Sequence, residues 1–281
     1  MKLANLAGRL VIVTDGGAVD VEAASGGTFS SSPQSVYDVW NSFTAWAASA
    51  DRSGAAAYSE DVLEAVVPRP RQIFAIGLNY REHANESGFA IPENPVFFTK
   101  FASSLTGARA DIVLPSEAVD YEVELVVVMG KDASRVSVED AWSYVAGLTA
   151  GQDISERAVQ NRGPAPQFNL AKSFPGFSPI GPVVVTPDEF ANRDGIRVRT
   201  LVETGTEITT KQDGNTDDLI FSVPELVSRL SQTLTLYAGD IIFTGTPSGV
   251  GIGKKPPVYL EKGQILVTQI DGIGELRNRL V

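Results

Sequence analysis

The sequence predicts a β-rich α+β fold, on three observations. From Ile73 onward, apolar runs of strand length recur at 73–77, 96–98, 121–129, 144–148, 182–186, 196–203, 241–244 and 265–270, punctuated by glycine and proline. In that stretch two segments stand out as helices, about 138–143 and 223–231. Strands therefore do not alternate with helices, which argues against both a doubly wound sheet and a barrel of alternating strands and helices. A chain of 281 residues, 43% hydrophobic and 20% charged, can bury a substantial core.

The amino-terminal part reads differently. Leu10-Val11-Ile12-Val13 and a later Asp-Val pair suggest short strands, separated by Gly16-Gly17 and Gly26-Gly27. From Val36 to Ala50 apolar residues fall at helical spacing, and Ser53-Gly54 ends that helix. A helical turn over 61–66 stops at Val67-Pro68-Arg69-Pro70. This proline-rich hinge divides a small α/β segment, 1–69, from the main body, 70–281. No chemistry is visible in the smaller piece, which reads as structural.

Composition removes several function classes. Cysteine is absent, so disulfide scaffolds, zinc fingers, iron–sulfur clusters and cysteine nucleophiles are excluded. His83 is the lone histidine, which excludes His-rich zinc sites and leaves oxygen as the main ligand type for any metal. A net charge of −11 disfavours nucleic acid and anionic membrane surfaces as partners. No apolar run approaches membrane-spanning length, and the first residues lack a signal-peptide pattern, so a cytoplasmic protein is expected. Gly-x-Ser-x-Gly does not occur. The Gly-rich stretch from Gly245 to Lys255 fits neither the P-loop nor G-x-G-x-x-G, and reads instead as a loop lining a site.

The carboxylates carry more information. In Asp120-Tyr121-Glu122-Val123-Glu124-Leu125, strand alternation puts Glu122 and Glu124 on one face, leading into Val126 and Val128. Acids in such a row are costly to bury unless they coordinate something, although a solvated strand edge would hold them equally well. Asp153 ends another apolar stretch and precedes Ser155, a possible helix N-cap. Three carboxylates without a histidine ligand suit a hard divalent cation, Mg²⁺ or Mn²⁺. Upstream, Gly77 to Gly88 reads as a strand end followed by a short helix, with Asn79 as cap, Glu82 at N3 and Gly88 as stop. His83 and Glu86 then share one helical face, as a general base and its orienting acid would; a surface histidine beside an acid is the commoner case.

These motifs together resemble the fumarylacetoacetate hydrolase family over roughly residues 70–281. The matching segments are Gly77-Leu78-Asn79-Tyr80 with His83, Glu122-Val123-Glu124-Leu125 with Val128-Met129-Gly130, Asp153-Ile154-Ser155-Glu156-Arg157, Leu170-Ala171-Lys172-Ser173-Phe174, and Thr235-Leu236 through Gly239-Asp240 to Thr246-Pro247. The resemblance implies a mixed β-sandwich or roll, with the small amino-terminal segment as the extension of many bacterial members. It implies that Glu122, Glu124 and Asp153 hold Mg²⁺ or Mn²⁺ and that His83 and Glu86 form a water-activating dyad on a lid. Lys172 is implied beside the metal, and Arg157, Gln160 and Thr246 as groups that bind substrate. Read without the resemblance, Lys172, Arg157 and Gln160 would be solvated surface groups. Gln152, Glu156 and Ser248 depart from the commoner family wording.

The implied chemistry is cleavage of a carbon–carbon bond in a 2,4-dioxo acid, an acylpyruvate, with fumarylpyruvate as the preferred substrate and fumarate and pyruvate as products. Oxaloacetate decarboxylation, isomerisation of 2-hydroxyhepta-2,4-diene-1,7-dioate, hydrolysis of a 2,4-diketo-3-deoxy sugar acid, and non-catalytic metal-dependent binding are the alternatives. A homodimer is also implied by the resemblance.

Overall fold

The computed structural model describes residues 1–88 and 90–281. Its main sheet runs in the order Gly17–Asp20, Arg9–Thr14, Lys2–Leu6, Ser178–Val185, Val145–Gln152, Val123–Met129, Ile241–Phe243, Ile73–Gly77 and Val96–Thr99, with Leu105–Thr106 paired alongside Ser178–Val185. Neighbours along this path are antiparallel except Ile241–Phe243 and Ile73–Gly77, which are parallel. A second, four-stranded sheet has the order Glu207–Asn215, Arg197–Thr204, Ile265–Ile270 and Gly274–Arg279. The architecture is thus strand-rich α+β, as the apolar runs predict.

The strand Val123–Met129 shows why the sheet is buried on both sides. Val123, Leu125, Val127 and Met129 enter one core with Val198 and Leu276 of the second sheet and with Leu226 and Leu230 of the long helix. Val126 and Val128 point the other way, into a core shared with Trp40, Phe43 and Phe243. Period-two alternation therefore feeds two cores from one strand.

Several elements differ from the sequence reading. The helix expected at 138–143 is only a 3₁₀ turn over Ala141–Tyr144, because Val145 already enters the strand Val145–Gln152 and leaves room for no longer helix. Asn79 does not cap the helix Arg81–Ser87; its amide donates to the carbonyls of Phe221 and Thr244, and Tyr80 occupies the cap position. Gly88 does close that helix, with φ +69°. Ser155 lies in a two-residue strand, and Glu156 caps the helix Arg157–Gln160. Strands Glu207–Asn215 and Gly274–Arg279 escaped the apolar pattern because most of their residues are polar or charged, and the backbone ladder holds them. By contrast, the helix at 223–231 forms as Val223–Thr233, opened by a capping box between Ser222 and Glu225.

The amino-terminal helix forms as Trp40–Ala47 after a 3₁₀ turn at Tyr37–Val39. Lys2 and Leu3 pair antiparallel with Val185 and Val184, so the main sheet runs continuously from the amino-terminal segment into the body.

Candidate active site

The three acids converge because of strand register. Val123 lies opposite Gln152 and Glu124 opposite Gly151 in the antiparallel pair. Glu122 therefore faces Asp153, whose N–H donates to the Glu122 carbonyl at 2.9 Å. Glu122, Glu124 and Asp153 each bring one carboxylate oxygen within 4.8 Å of the others, and all three side chains are buried.

Cations share this cluster unequally. Lys172 Nζ donates to Glu122 Oε2 at 2.7 Å and to Asp153 Oδ2 at 2.6 Å. Arg157 Nη2 donates to Glu122 Oε1 at 2.6 Å, while its Nε holds Asp120 Oδ2 at 2.8 Å. Lys100 Nζ donates to Asp153 Oδ1 at 2.5 Å and also to the carbonyls of Lys172 and Phe177. Glu124 accepts the Gly245 N–H at 2.7 Å, and among the described residues no lysine or arginine pairs with it.

The consequence is a charge deficit at Glu124. Burial, then the charges of Asp153 and Glu122, push its carboxyl well above the ordinary value. Glu122 goes the other way: burial would raise it, but Lys172 and Arg157 outweigh that and lower it to about 2. Burial also works against the Lys172 ammonium, yet Asp153 and Glu122 raise it above the usual lysine value. An unpaired buried acid beside two others fits a hard divalent cation, and each carboxylate oxygen that accepts a hydrogen bond keeps a second lone pair for a metal.

Above the cluster lies a cavity of about 530 Å³. His83, Glu122, Arg157, Gln160, Lys172 and Thr246 all line it, together with an apolar wall that includes Leu78, Phe98, Phe168, Val250 and Ile252. Glu124, Asp153 and Glu86 are outside this lining. Gln160 Oε1 accepts from Arg157 Nη1 at 2.7 Å, leaving its amide N–H groups for other partners. Thr246 Oγ1 accepts from Gln212 Nε2 at 2.8 Å and keeps its own hydroxyl hydrogen.

The expected His83–Glu86 dyad is close without being hydrogen-bonded. His83 Nδ1 lies 3.5 Å from Glu86 Oε2, is buried, and has no hydrogen-bond partner. Glu86 Oε2 instead accepts the Gly249 N–H at 2.9 Å.

Two residues of the site were not singled out in the sequence. Lys100 ends the run Phe97-Phe98-Thr99, and a lysine closing an apolar strand was the available signal. Asp120 heads the very segment that holds Glu122 and Glu124, but apart from the Tyr121 N–H its partners lie far along the chain.

Comparison with known proteins now fits this geometry. Residues 72–281 match the family described as fumarylacetoacetate (FAA) hydrolase C-terminal. The chain belongs to the fumarylacetoacetate hydrolase family. It is similar to oxaloacetate tautomerase YisK of Bacillus subtilis, 44% identical over 229 residues, covering 79% of this chain and 74% of that protein. The structure of a putative HpcE protein from Mycobacterium smegmatis superposes with TM-score 0.95 at 48% identity, covering 100% of this chain and 99% of the other. Fumarylpyruvate hydrolase of Pseudomonas aeruginosa, solved with Mn²⁺ and pyruvate, gives TM-score 0.66 at 33% identity over 75% of this chain and 90% of its own. The protein is therefore an enzyme of a metal-dependent hydrolase and tautomerase family. None of its described helices is long and apolar enough to cross a membrane.

Proposed function

We propose that the enzyme is a metal-dependent oxaloacetate tautomerase, interconverting the enol and keto forms. The observation that carries this reading is the state of His83. Its ring reaches the cavity as a single base and makes no hydrogen bond to the carboxylate expected to orient it for water activation, which lies 3.5 Å from Nδ1. Moving one proton between carbon and oxygen needs one positioned base and a stabilised enolate, and no activated water. The similarity to an oxaloacetate tautomerase at 44% identity supports the same reading.

Glu122, Glu124 and Asp153 would hold Mg²⁺ or Mn²⁺, which when bound supplies Lewis-acid polarisation to a 2-oxo group and its adjacent carboxylate. The chain's own groups do the rest. Lys172 lines the cavity with two of its ammonium N–H groups held by Glu122 and Asp153, and the third would stabilise negative charge developing on the enolate oxygen. Gln160 and Thr246 offer donors to the substrate's carboxylates. Arg157 has Asp120, Glu122 and Gln160 on its guanidinium, so it acts chiefly by holding Glu122 in place. His83 would remove a proton from C3 of the ketone as the C–H electron pair becomes the C2–C3 π bond and the carbonyl π pair moves onto oxygen, and the proton it has taken is then delivered to that oxygen; the reverse path restores the ketone.

A second reading keeps the fumarylpyruvate hydrolysis inferred from sequence. It is favoured by the apolar wall and the cavity of about 530 Å³, which exceed the needs of a four-carbon diacid. One experiment separates them: NMR of enol-rich oxaloacetate and, separately, fumarylpyruvate, with enzyme and Mg²⁺ or EDTA. Metal-dependent acceleration of ketonisation without release of pyruvate supports the tautomerase. Faster formation of fumarate and pyruvate, with ketonisation unaffected, overturns it.

A further inference from the structure

Asp120 belongs to none of the groups assigned above, yet it joins both sides of the site. Its carboxylate is fully buried. Oδ1 accepts the N–H of Tyr121 at 2.8 Å and of Gly251 at 2.7 Å. Oδ2 accepts Arg157 Nε at 2.8 Å and the Ile252 N–H at 3.0 Å. On one side, then, Asp120 fixes the guanidinium that fixes Glu122. On the other it holds the backbone of the Gly-rich loop, whose Val250, Ile252 and Gly253 line the cavity.

The same loop reaches the His83 segment, because the Gly249 N–H donates to Glu86 and the Tyr121 hydroxyl donates to the Gly249 carbonyl at 3.2 Å. The approach is close enough to require glycine: a Cβ on Gly251 would lie 2.6 Å from Asp120 Oδ1 and 2.0 Å from the Val258 carbonyl oxygen. A buried carboxylate with four donors from three separate chain segments has little freedom to lose one partner without shifting the others.

We propose that Asp120 is a positioning residue that couples occupancy of the Glu122–Glu124–Asp153 cluster to the order of the 249–253 loop and, through Glu86, of the helix bearing His83. A cation ligated by Glu122 would compete with Arg157 for that carboxylate and shift the guanidinium toward Asp120, which passes the change to the loop N–H groups it holds. By reciprocity, closing the loop on a substrate strengthens metal binding.

The inference rests on the reading of that cluster as the metal site, and the test keeps the two apart. Amide hydrogen exchange is followed by mass spectrometry on the full chain with and without saturating Mn²⁺, and Mn²⁺ binding is measured independently by EPR. In the wild type Mn²⁺ should slow exchange in peptides covering 249–253 and 81–88, about five-fold or more. In Asp120→Asn at its own saturating Mn²⁺ the slowing should disappear. Equal slowing in the variant, or none in a wild type that binds Mn²⁺, overturns the coupling; a wild type that binds no Mn²⁺ overturns the metal-site reading itself. Should Asp120→Asn fail to fold by circular dichroism, Arg157→Lys carries the same test. It keeps the charge but loses the fork that spans Asp120 and Glu122, and retained slowing there refutes the proposal.

Discussion

At the residue scale the site is decided by how Lys100, Lys172 and Arg157 divide themselves among Asp120, Glu122, Glu124 and Asp153. The division leaves Glu124 without a cation and Glu122 with two. The Glu122 carboxyl is lowered from 4.5 to about 2, so its ion pairs stabilise the fold above about pH 4.5 and that contribution is lost as pH falls toward 2. In metal-free protein, Glu122→Gln should therefore cost much stability at pH 7, and its deficit against wild type should shrink at pH 3; urea denaturation at both values checks the sign. Lys172→Met should lower the rate of ketonisation by about 100- to 1000-fold. His83→Ala should lower it by about 10²- to 10⁴-fold while Mn²⁺ binding by EPR is unchanged, since His83 is not among the cluster's ligands. Glu122, Glu124 and Asp153 stood out in the sequence as acids beside apolar runs, a pattern a solvated strand edge fits equally well, and the family resemblance is what singled them out as ligands. Lys100 left only a lysine at the end of an apolar strand as its signal, because its partner stands 53 residues away and only the folded register brings the two together.

At the element scale, the antiparallel pair Val123–Met129 and Val145–Gln152 does the assembling. One residue of slip would send Glu124 to the opposite face and scatter the cluster. The apolar runs made these strands legible, and the helix Val223–Thr233 stood out as a helical segment between them. The polar strand Glu207–Asn215 was not legible, because its stability comes from pairing with Arg197–Thr204 and leaves no apolar signature. The helix Trp40–Ala47 offers a test of the second core. Phe43 is fully buried among Phe29, Trp40 and Trp46, so Phe43→Ala should destabilise the protein by about 3–5 kcal/mol. Ketonisation per folded molecule should not change, which calorimetry beside a rate measurement would show.

At the scale of the whole molecule, the strand-rich plan followed from the apolar runs and the family from five short motifs in order. The way the amino-terminal segment joins the body did not, since Lys2 pairs with Val185 across most of the chain and no local pattern announces it. Deleting residues 1–69 should leave Ser178–Val185 without a neighbour on one side and strip Phe43 and Ile12 from the second core. The shortened chain is expected to aggregate and to bind the dye ANS; a soluble, cooperatively unfolding 70–281 fragment would refute that. The cavity's location has a practical corollary of another kind. With one imidazole in these 281 residues, every histidine resonance they give in an NMR spectrum originates at the cavity wall. The protein thus carries its own spectroscopic reporter, and each cation, substrate or inhibitor added to it can be watched from the place where proton transfer would occur, without isotope-selective labelling or an attached probe.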